Sequence, residues 1–262
     1  MNTNSNLYTV IYTTLVVVVV AAVLAFVSQS LKSRQEANEK AETLRQMMAA
    51  AQIKPAGELY SMANADILQL YADNIAEAYT IDLGGAKNGA LSVTADNIEL
   101  VDKLKPQNRG ILGKGEVTLP VYIFKGDVAV IPIYGAGLWG AVWGYIAIQR
   151  DCHTIAGAFF DHESETPGLG AKIKDEAWFR EKFIGKTVEW GDTPAFRLEK
   201  NAEESGASNA VDAISGATMT SNGLNGALNV WFGAYSRHFS TAALFNMLTD
   251  VSLSELKNSE EE

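Results

Sequence analysis

Cysteine and histidine are scarce in this chain of 262 residues. The single cysteine, Cys152, excludes an intramolecular disulfide and iron–sulfur ligation by this chain alone. The three histidines, His153, His162 and His238, offer little from which to build a zinc site. Acids accumulate at residues 161–170, but no second histidine follows at the spacing of helical metal ligands. We therefore expect no structural or catalytic metal.

Basic side chains are outnumbered by acidic ones. The chain has 21 Lys and Arg against 31 Asp and Glu, which gives a formal net charge of −10 and an isoelectric point near 4.9. This sign of charge is wrong for a protein that binds the phosphates of nucleic acids, so we expect no nucleic-acid partner. Charged residues make up only 20% of the chain, which argues against long-range disorder.

Charge is absent altogether from Asn2 to Leu31, and residues 7–27 are almost continuously apolar. About 20 such residues span the hydrocarbon core of a bilayer. A cleaved signal peptide is disfavoured, because no basic residue precedes the apolar stretch and the stretch is too long. Residues 1–31 are therefore predicted to be a retained membrane anchor that contacts lipid through residues 7–27.

The side of the membrane on which the rest of the chain lies stays open on the residues alone. Lys32, Arg34, Lys40 and Arg45 follow the span, and the positive-inside rule taken simply would place the large domain in the cytoplasm. That rule is weak for a single span followed by a long domain, because such a domain can translocate largely regardless of charge.

Beyond the anchor, the residue pattern predicts a helical stalk at residues 32–57, a domain at 58–250 and an acidic tail at 251–262. Periodicity predicts a helix at residues 64–77 and a short helix at 175–183. Strands are predicted at residues 117–124, 128–134, 141–148, 187–190 and 196–198, the first two forming a hairpin. A last helix is expected after the candidate N-caps Thr220 and Ser221. Because strands cluster before helices, we expect an α+β fold with a largely antiparallel sheet.

Residues 135–140 match the dinucleotide-binding pattern GxGxxG. The pattern requires a helix directly after the glycines, whereas residues 141–148 have the aromatic and β-branched composition of a strand. A dinucleotide site is therefore not expected here. The segment is either a plain glycine-rich connection or a loop on which a flat ligand lies against the backbone beside Trp139.

Two further segments allow a structural and a functional interpretation. Residues 161–170 are either a solvated loop or, from Thr166 to Gly170, a rigid turn that presents backbone groups to a ligand. Residues 212–218 are either a helix cap or a phosphate site, since a phosphate ester on Thr218 would lie at a helix N-terminus. A hydrolase nucleophile at Ser215 is a poor alternative, because no signature connects a histidine to it.

Four segments resemble the motifs of covalent FMN-binding domains and follow one another along the chain in the order that those domains have. They are the segment 134–140, the segment 165–171, the segment 178–186, and Asp212 with Ser215-Gly216-Ala217-Thr218. With its N-terminal span and stalk, the chain from about Leu7 to Phe239 is similar to the C-subunit family of sodium-translocating NADH:quinone oxidoreductases. Four ordered motifs are far more specific than the tetrapeptide 215–218 alone.

The resemblance implies a phosphoester bond between FMN and Thr218, made by a separate flavin transferase. It also implies a single-pass protein of the cytoplasmic (inner) membrane, with its domain on the outer, periplasmic side. There the flavin would relay electrons between redox centres of neighbouring subunits, and the chain would not be active alone. The flavin neighbours implied are Leu138, Trp139, Gly140, Glu165, Thr166, Leu169, Gly170, Ser215, Gly216 and Ala217.

Two alternatives remain open at the level of sequence. One is the homologous flavin subunit of an Rnf-type ferredoxin:NAD oxidoreductase complex, which shares the span, the motif and the outer placement. The other is a membrane-anchored flavin-binding or sensing domain without covalent flavin.

Overall fold

The computed structural model describes residues 6–91 and 118–240. Its first element is the long helix α1 (Asn6–Ala50), whose sequence contains neither proline nor glycine. Its most apolar 18-residue window has a mean hydropathy of 2.8 and is fully exposed, so α1 is long and apolar enough to cross a membrane. The predicted continuity of anchor and stalk as one helix is confirmed.

The chain divides into two compact units, and the boundary lies between Glu42 and Thr43, inside α1. The last turns of α1 belong to the second unit and are buried there, Leu44, Met47 and Met48 completely. From the sequence we expected the domain to begin at residue 58. The predicted tail at residues 251–262 lies outside the described residues.

The second unit is built from short helices, strands and one long helix. The helices are α2 (Ala56–Ser61), α3 (Asn64–Asn74), α4 (Lys172–Asp175), α5 (Ala177–Glu181), α6 (Ala202–Ser205) and α7 (Thr218–Ser240). The strands are β1 (Ile75–Ile81), β2 (Lys87–Leu91), β3 (Leu119–Phe124), β4 (Val128–Ala136), β5 (Ala141–Ile148), β6 (Ile155–His162), β7 (Arg197–Glu199) and β8 (Ala210–Asp212).

Six of these strands form one sheet in the order β2-β1-β3-β4-β5-β6, and every neighbouring pair in it is antiparallel. The strands β7 and β8 form a separate parallel pair. The α+β class with a largely antiparallel sheet, expected from the clustering of strands, is confirmed.

Local patterns predicted the central strands best. The β3–β4 hairpin turns at Gly126 and Asp127, which both have positive φ. It corresponds to the predicted strands at residues 117–124 and 128–134, of which only Val117 lies outside the described residues. Strand β5 has the predicted bounds. The predicted short helix at residues 175–183 is present as α5, and the predicted strand at 196–198 is β7, shifted by one residue.

Two of the predicted helices and strands were wrong. The helix expected at residues 64–77 ends at Asn74, because Ile75 and Glu77 pair with β3 as the first residues of β1. The strand expected at residues 187–190 is absent, and Thr187 makes only an isolated bridge to Thr154. In both places long-range pairing decides the conformation and local periodicity does not.

One face of the sheet is covered by α7. Helix residues Leu224, Leu228, Trp231, Phe232 and Tyr235 are completely buried in the main core. The two polar groups among them have partners in the sheet: the Trp231 indole donates to the Tyr134 carbonyl at 2.6 Å, and the Tyr235 hydroxyl donates to the Pro120 carbonyl at 2.7 Å. Burial of each large side chain contributes about 1.5–3 kcal/mol, so this face fixes α7 firmly on the sheet.

The other face is covered by the end of α1 together with α2 and α3. Tyr71 of α3 packs edge-on against Phe124, and Tyr60 of α2 stacks on Phe159, with ring centroids 5.9 and 6.3 Å apart. The buried guanidinium of Arg45 donates to the Leu59 and Met62 carbonyls and to Asn64 Oδ1, at 2.9–3.1 Å.

A second buried polar group on this end of α1 is the amide of Gln46. Its nitrogen donates to Asp161 at the end of β6 at 2.8 Å, and its oxygen accepts the Trp143 indole N–H at 3.1 Å. Lys174 of α4 donates to the same Asp161 carboxylate oxygen at 2.8 Å. The end of α1 is thus bound to the strand that leads into the loop 163–170.

We expect Arg45→Met to lower the free energy of unfolding of the second unit by about 2–4 kcal/mol, because it removes the three hydrogen bonds that the charged guanidinium donates to α2, α3 and the turn between them. The matched control is Arg34→Met, since Arg34 is an exposed arginine of the same helix. Urea denaturation of the full chain in detergent measures both variants. Equal midpoints for the two variants would contradict the role given to Arg45.

A pH dependence is expected from His238, which is buried at the end of α7. Its Nδ1 donates to the Gly85 carbonyl at 3.0 Å and its Nε2 accepts from the Tyr79 hydroxyl at 3.1 Å. Burial lowers the pKa of His238, the Gly85 bond opposes this effect, and the charge of Lys87 adds to the lowering. The unfolded state therefore binds a proton at a higher pH than the folded state does.

Stability should accordingly fall as the pH drops below about 6.5, the ordinary pKa of histidine. The measurement is the urea midpoint at about pH 7.5 and about pH 5.5. His238→Gln should flatten this dependence, whereas His153→Gln, at an exposed position, should retain it. An unchanged slope in His238→Gln would refute the assignment.

Candidate functional site

The glycine pattern 135–140 forms the tip of the β4–β5 hairpin. Gly137 donates its N–H to the Gly140 carbonyl at 2.7 Å, and the strand β5 begins directly afterwards, as the composition predicted. No helix follows the glycines, so the dinucleotide interpretation is excluded. Two apolar side chains at the tip, Leu138 and Trp139, face solvent, and Trp139 is 67% exposed.

The loop after β6 holds this tip in place. Glu163 accepts the N–H of Ala141 at 3.2 Å, Ser164 donates to the carbonyl of Trp139 at 3.0 Å, and Glu165 Oε1 accepts the N–H of Trp139 at 3.0 Å. Three consecutive residues of the loop thus contact the hairpin. From sequence, residues 161–170 could equally have been a solvated loop.

The predicted turn from Thr166 to Gly170 is present. Its end is closed by two hydrogen bonds to the Thr166 carbonyl, from the N–H groups of Leu169 and Ala171, both at 3.1 Å. Gly168 has a φ of +75°, a conformation that favours glycine.

The carboxylate of Glu165 lies at the back of the site and is only 5% exposed. Its Oε2 accepts a hydrogen bond from the Thr220 hydroxyl at 2.5 Å. Burial by itself raises the pKa of Glu165, but the hydrogen bonds from Thr220, Trp139 and Leu138 outweigh that effect and hold it below its ordinary value. The site therefore contains a buried negative charge at neutral pH.

Two glycines enclose this carboxylate. A Cβ atom at Gly137 would overlap Oε1 of Glu165, and one at Gly170 would overlap Oε2 and the Thr220 hydroxyl oxygen. Only residues without a side chain can approach so closely, which explains the glycines at these positions of the hairpin and of the loop.

Helix α7 begins at Thr218, so the predicted N-caps Thr220 and Ser221 lie inside its first turn. The chain reverses at Gly216, whose φ is +82°, and the first helical bond runs from the Ser221 N–H to the Ala217 carbonyl. The N-cap prediction was wrong because this reversal starts the helix at Thr218, ahead of both predicted caps. The N–H groups of Thr218, Met219 and Thr220 precede the first helical bond.

The hydroxyl groups of this segment differ in accessibility. Thr218 and Ser215 are exposed. Thr220 and Ser221 are buried, and their oxygens are engaged, that of Thr220 with Glu165 and that of Ser221 with the Ile214 N–H at 3.1 Å.

An open cleft lies where the hairpin tip, the loop and α7 meet. Its lining includes most of the residues singled out from sequence: Leu138, Glu165, Thr166, Leu169, Gly170, Gly216, Ala217 and Thr218. Met219 and Thr220 also line it and were missed as site residues, although their places next to Thr218 at a helix start could have indicated them.

The remaining sequence candidates lie elsewhere in the same region. Trp139 and Gly140 are on the hairpin tip, and Ser215 precedes the helix, but none of them is part of the cleft lining. Asp212 of the same motif ion-pairs with Lys182 at 3.4 Å and accepts the N–H of Glu203 at 3.3 Å, so it stabilises α6.

The cleft combines an exposed hydroxyl at a helix N-terminus, a rim of exposed apolar side chains and a buried anion behind them. The apolar rim consists of Leu138, Leu169 and Met219. Such a cleft suits a ligand with one anionic end and one flat apolar part. Among residues 6–91 and 118–240, no group of three or more His, Cys, Asp or Glu side chains could hold a metal ion.

Comparisons with known proteins agree with this description. A family model described as an FMN-binding domain matches residues 137–232, from the hairpin tip to the middle of α7. A crystal structure of the C subunit of Na(+)-translocating NADH-quinone reductase from Parabacteroides distasonis superposes with a TM-score of 0.66 at 28% identity, over 80% of this chain and 98% of that one. Shewanella oneidensis NqrC superposes with a TM-score of 0.62 at 27% identity, over 82% and 99%.

Sequence relatives are C subunits of the same reductase. The protein from Vibrio parahaemolyticus is 29% identical over 80% of this chain and 84% of its own length. That of Pasteurella multocida is 31% identical over 65% of this chain and 69% of its own length. The chain described here belongs to the NqrC family, the C subunits of Na(+)-translocating NADH-quinone reductases, and includes the FMN-binding domain of that family.

Proposed function

We propose that this chain carries FMN through a phosphoester bond to Thr218 and relays electrons within a sodium-translocating NADH-quinone reductase. The observation that carries the proposal is the difference in exposure between neighbouring hydroxyl groups. Thr218 is exposed, lines the cleft and begins α7, whereas the hydroxyls of Thr220 and Ser221 are buried and hydrogen-bonded.

The start of α7 fits a phosphate group. A phosphate ester on Thr218 would lie beside the N–H groups of Thr218, Met219 and Thr220, which have no acceptor in the preceding turn of helix. The helix dipole favours a negative charge there by about 0.3–1 kcal/mol. The exposed Ser215 precedes the helix and does not line the cleft, which favours Thr218 as the acceptor.

The cleft also fits a planar ring system. Gly170, Gly216 and Ala217 add little side-chain bulk to the lining of the cleft. The exposed side chains of Leu138, Leu169 and Met219 offer apolar contact, and Trp139 on the adjacent tip offers an aromatic surface. We propose these residues as flavin neighbours, together with Gly140, Glu165, Thr166 and Ser215.

When bound, FMN supplies the capacity to accept and donate electrons. The residues of this chain hold the group in place and set the electrostatic field around it. The buried carboxylate of Glu165 disfavours additional negative charge in the cleft. Glu165 therefore favours release of electrons from the site over their retention, which suits a relay between neighbouring redox centres.

A covalent bond to FMN and a membrane anchor both serve to keep the flavin in one place. We propose that α1 anchors the chain in the cytoplasmic membrane through residues 7–27 and that the domain lies on the outer side. Free FMN would be scarce there, and a tether keeps it at the site at a high effective concentration. Maturation of the chain then requires a flavin transferase. Electron transfer requires other subunits of the complex as electron donor and acceptor.

The alternatives left open by the sequence are less well supported. The relatives and solved structures described above are NqrC proteins, which favours the sodium-translocating reductase over an Rnf-type complex. A flavin-binding or sensing domain without covalent flavin differs in one measurable property, the mass of the mature chain.

Thr218→Ala is expected to abolish covalent FMN, because the buried hydroxyls of Thr220 and Ser221 cannot replace the missing acceptor. The variant should keep its fold, since Thr218 is exposed. Intact mass and peptide mapping across residues 211–225 measure the adduct in chains produced with an active flavin transferase. Ser215→Ala is the matched control and should carry FMN as the natural chain does.

The opposite pattern would overturn the proposal. An adduct that persists in Thr218→Ala and disappears in Ser215→Ala would move the attachment to Ser215. An unmodified mass of the natural chain, despite an active transferase, would favour the non-covalent flavin-binding alternative.

A further inference from the structure

Thr220 connects the first turn of α7 to the carboxylate of Glu165 by a hydrogen bond. The Thr220 side chain is only 2% exposed, and its hydroxyl donates to Oε2 at 2.5 Å. Hydrogen bonds to an ionised acceptor are about twice as strong as neutral ones. Thr220 is thus bound to a group that lies 55 positions earlier in the sequence.

The other oxygen of this carboxylate is bound to the hairpin tip. Glu165 Oε1 accepts the N–H of Trp139 at 3.0 Å. The path from Thr220 through Glu165 to Trp139 therefore connects the helix that begins with Thr218 to the tip that carries Leu138 and Trp139. Each step of this path is a direct hydrogen bond between buried or backbone groups.

Close packing along the same path leaves little freedom for the carboxylate. Gly137 and Gly170 lie against its two oxygens, as described above. One turn further along α7, a Cβ atom at Gly223 would overlap the carbonyl oxygen of Ala136, so the helix backbone lies directly on the end of β4. The tip is thus placed by α7 from one side and by Glu165 from the other.

We propose that Thr220 is a positioning residue of the flavin site, which holds Glu165 so that the hairpin tip keeps one position relative to Thr218. The proposal deepens the proposed function and rests on it, since Thr218 is the attachment point assumed there. Thr220 acts through Glu165 and the tip. Its loss should change the surroundings of the flavin and leave the attachment itself intact.

Thr220→Val tests this role, because valine keeps the shape of threonine and removes only the hydroxyl. Thr220→Ser restores the hydroxyl and should rescue the natural behaviour. The matched control is Thr80→Val, since Thr80 is another buried threonine whose hydroxyl has a side-chain partner, Asn88 Oδ1 at 2.8 Å, in the β1–β2 pair.

The first measurement is amide hydrogen exchange of the peptide spanning residues 136–142, in the full chain produced without flavin transferase. Thr220→Val should exchange about tenfold faster than the natural chain, the effect of losing one charge-assisted hydrogen bond. Thr80→Val and Thr220→Ser should exchange as the natural chain does. Unchanged exchange in Thr220→Val would overturn the proposal.

The second measurement uses chains produced with the transferase. Thr220→Val should carry FMN in the natural amount but show altered visible circular dichroism and lower fluorescence anisotropy of the flavin. Faster exchange with an unchanged flavin spectrum would reduce Thr220 to a structural role and also overturn the proposal. If the natural chain itself carries no FMN on Thr218, the proposed function fails, whereas the exchange measurement still decides whether Thr220 positions the tip.

Discussion

The geometry of the site depends on one buried anion. A carboxylate that is almost wholly removed from water is costly unless donors replace the lost hydration. Glu165 receives them from the backbone of the hairpin tip and from the first turn of α7, which are distant in sequence. The same requirement explains the two glycines that lie against its oxygens. Hairpin, loop and helix thus meet around this one charge.

The parts of the fold that follow local rules could be predicted from the sequence. Strand β5 and the β3–β4 hairpin have alternating or β-branched residues between clear turn signals, and α7 has a continuous apolar stripe. The end of α3 could not be predicted in this way, because Ile75 continues the helical spacing but pairs with β3. Residue periodicity carries no information on such long-range partners.

The candidate site shows the same division. Most residues of the cleft were found through the resemblance of ordered motifs, and the structure brings them to one place. Thr220 was missed as a site residue because a threonine near a helix start is most simply an N-cap. Its partner Glu165 is 55 positions away, and only the folded chain reveals that the hydroxyl is directed to a carboxylate.

The last turns of α1 determine where the chain can be shortened to remove the anchor. Arg45 and Gln46 supply buried hydrogen bonds to α2, α3 and β6, and Leu44, Met47 and Met48 complete the core under the sheet. A water-soluble version that starts at residue 58 would lose this layer and expose the apolar underside of the sheet. One that starts shortly before Thr43 would dispense with the span and keep every one of these contacts.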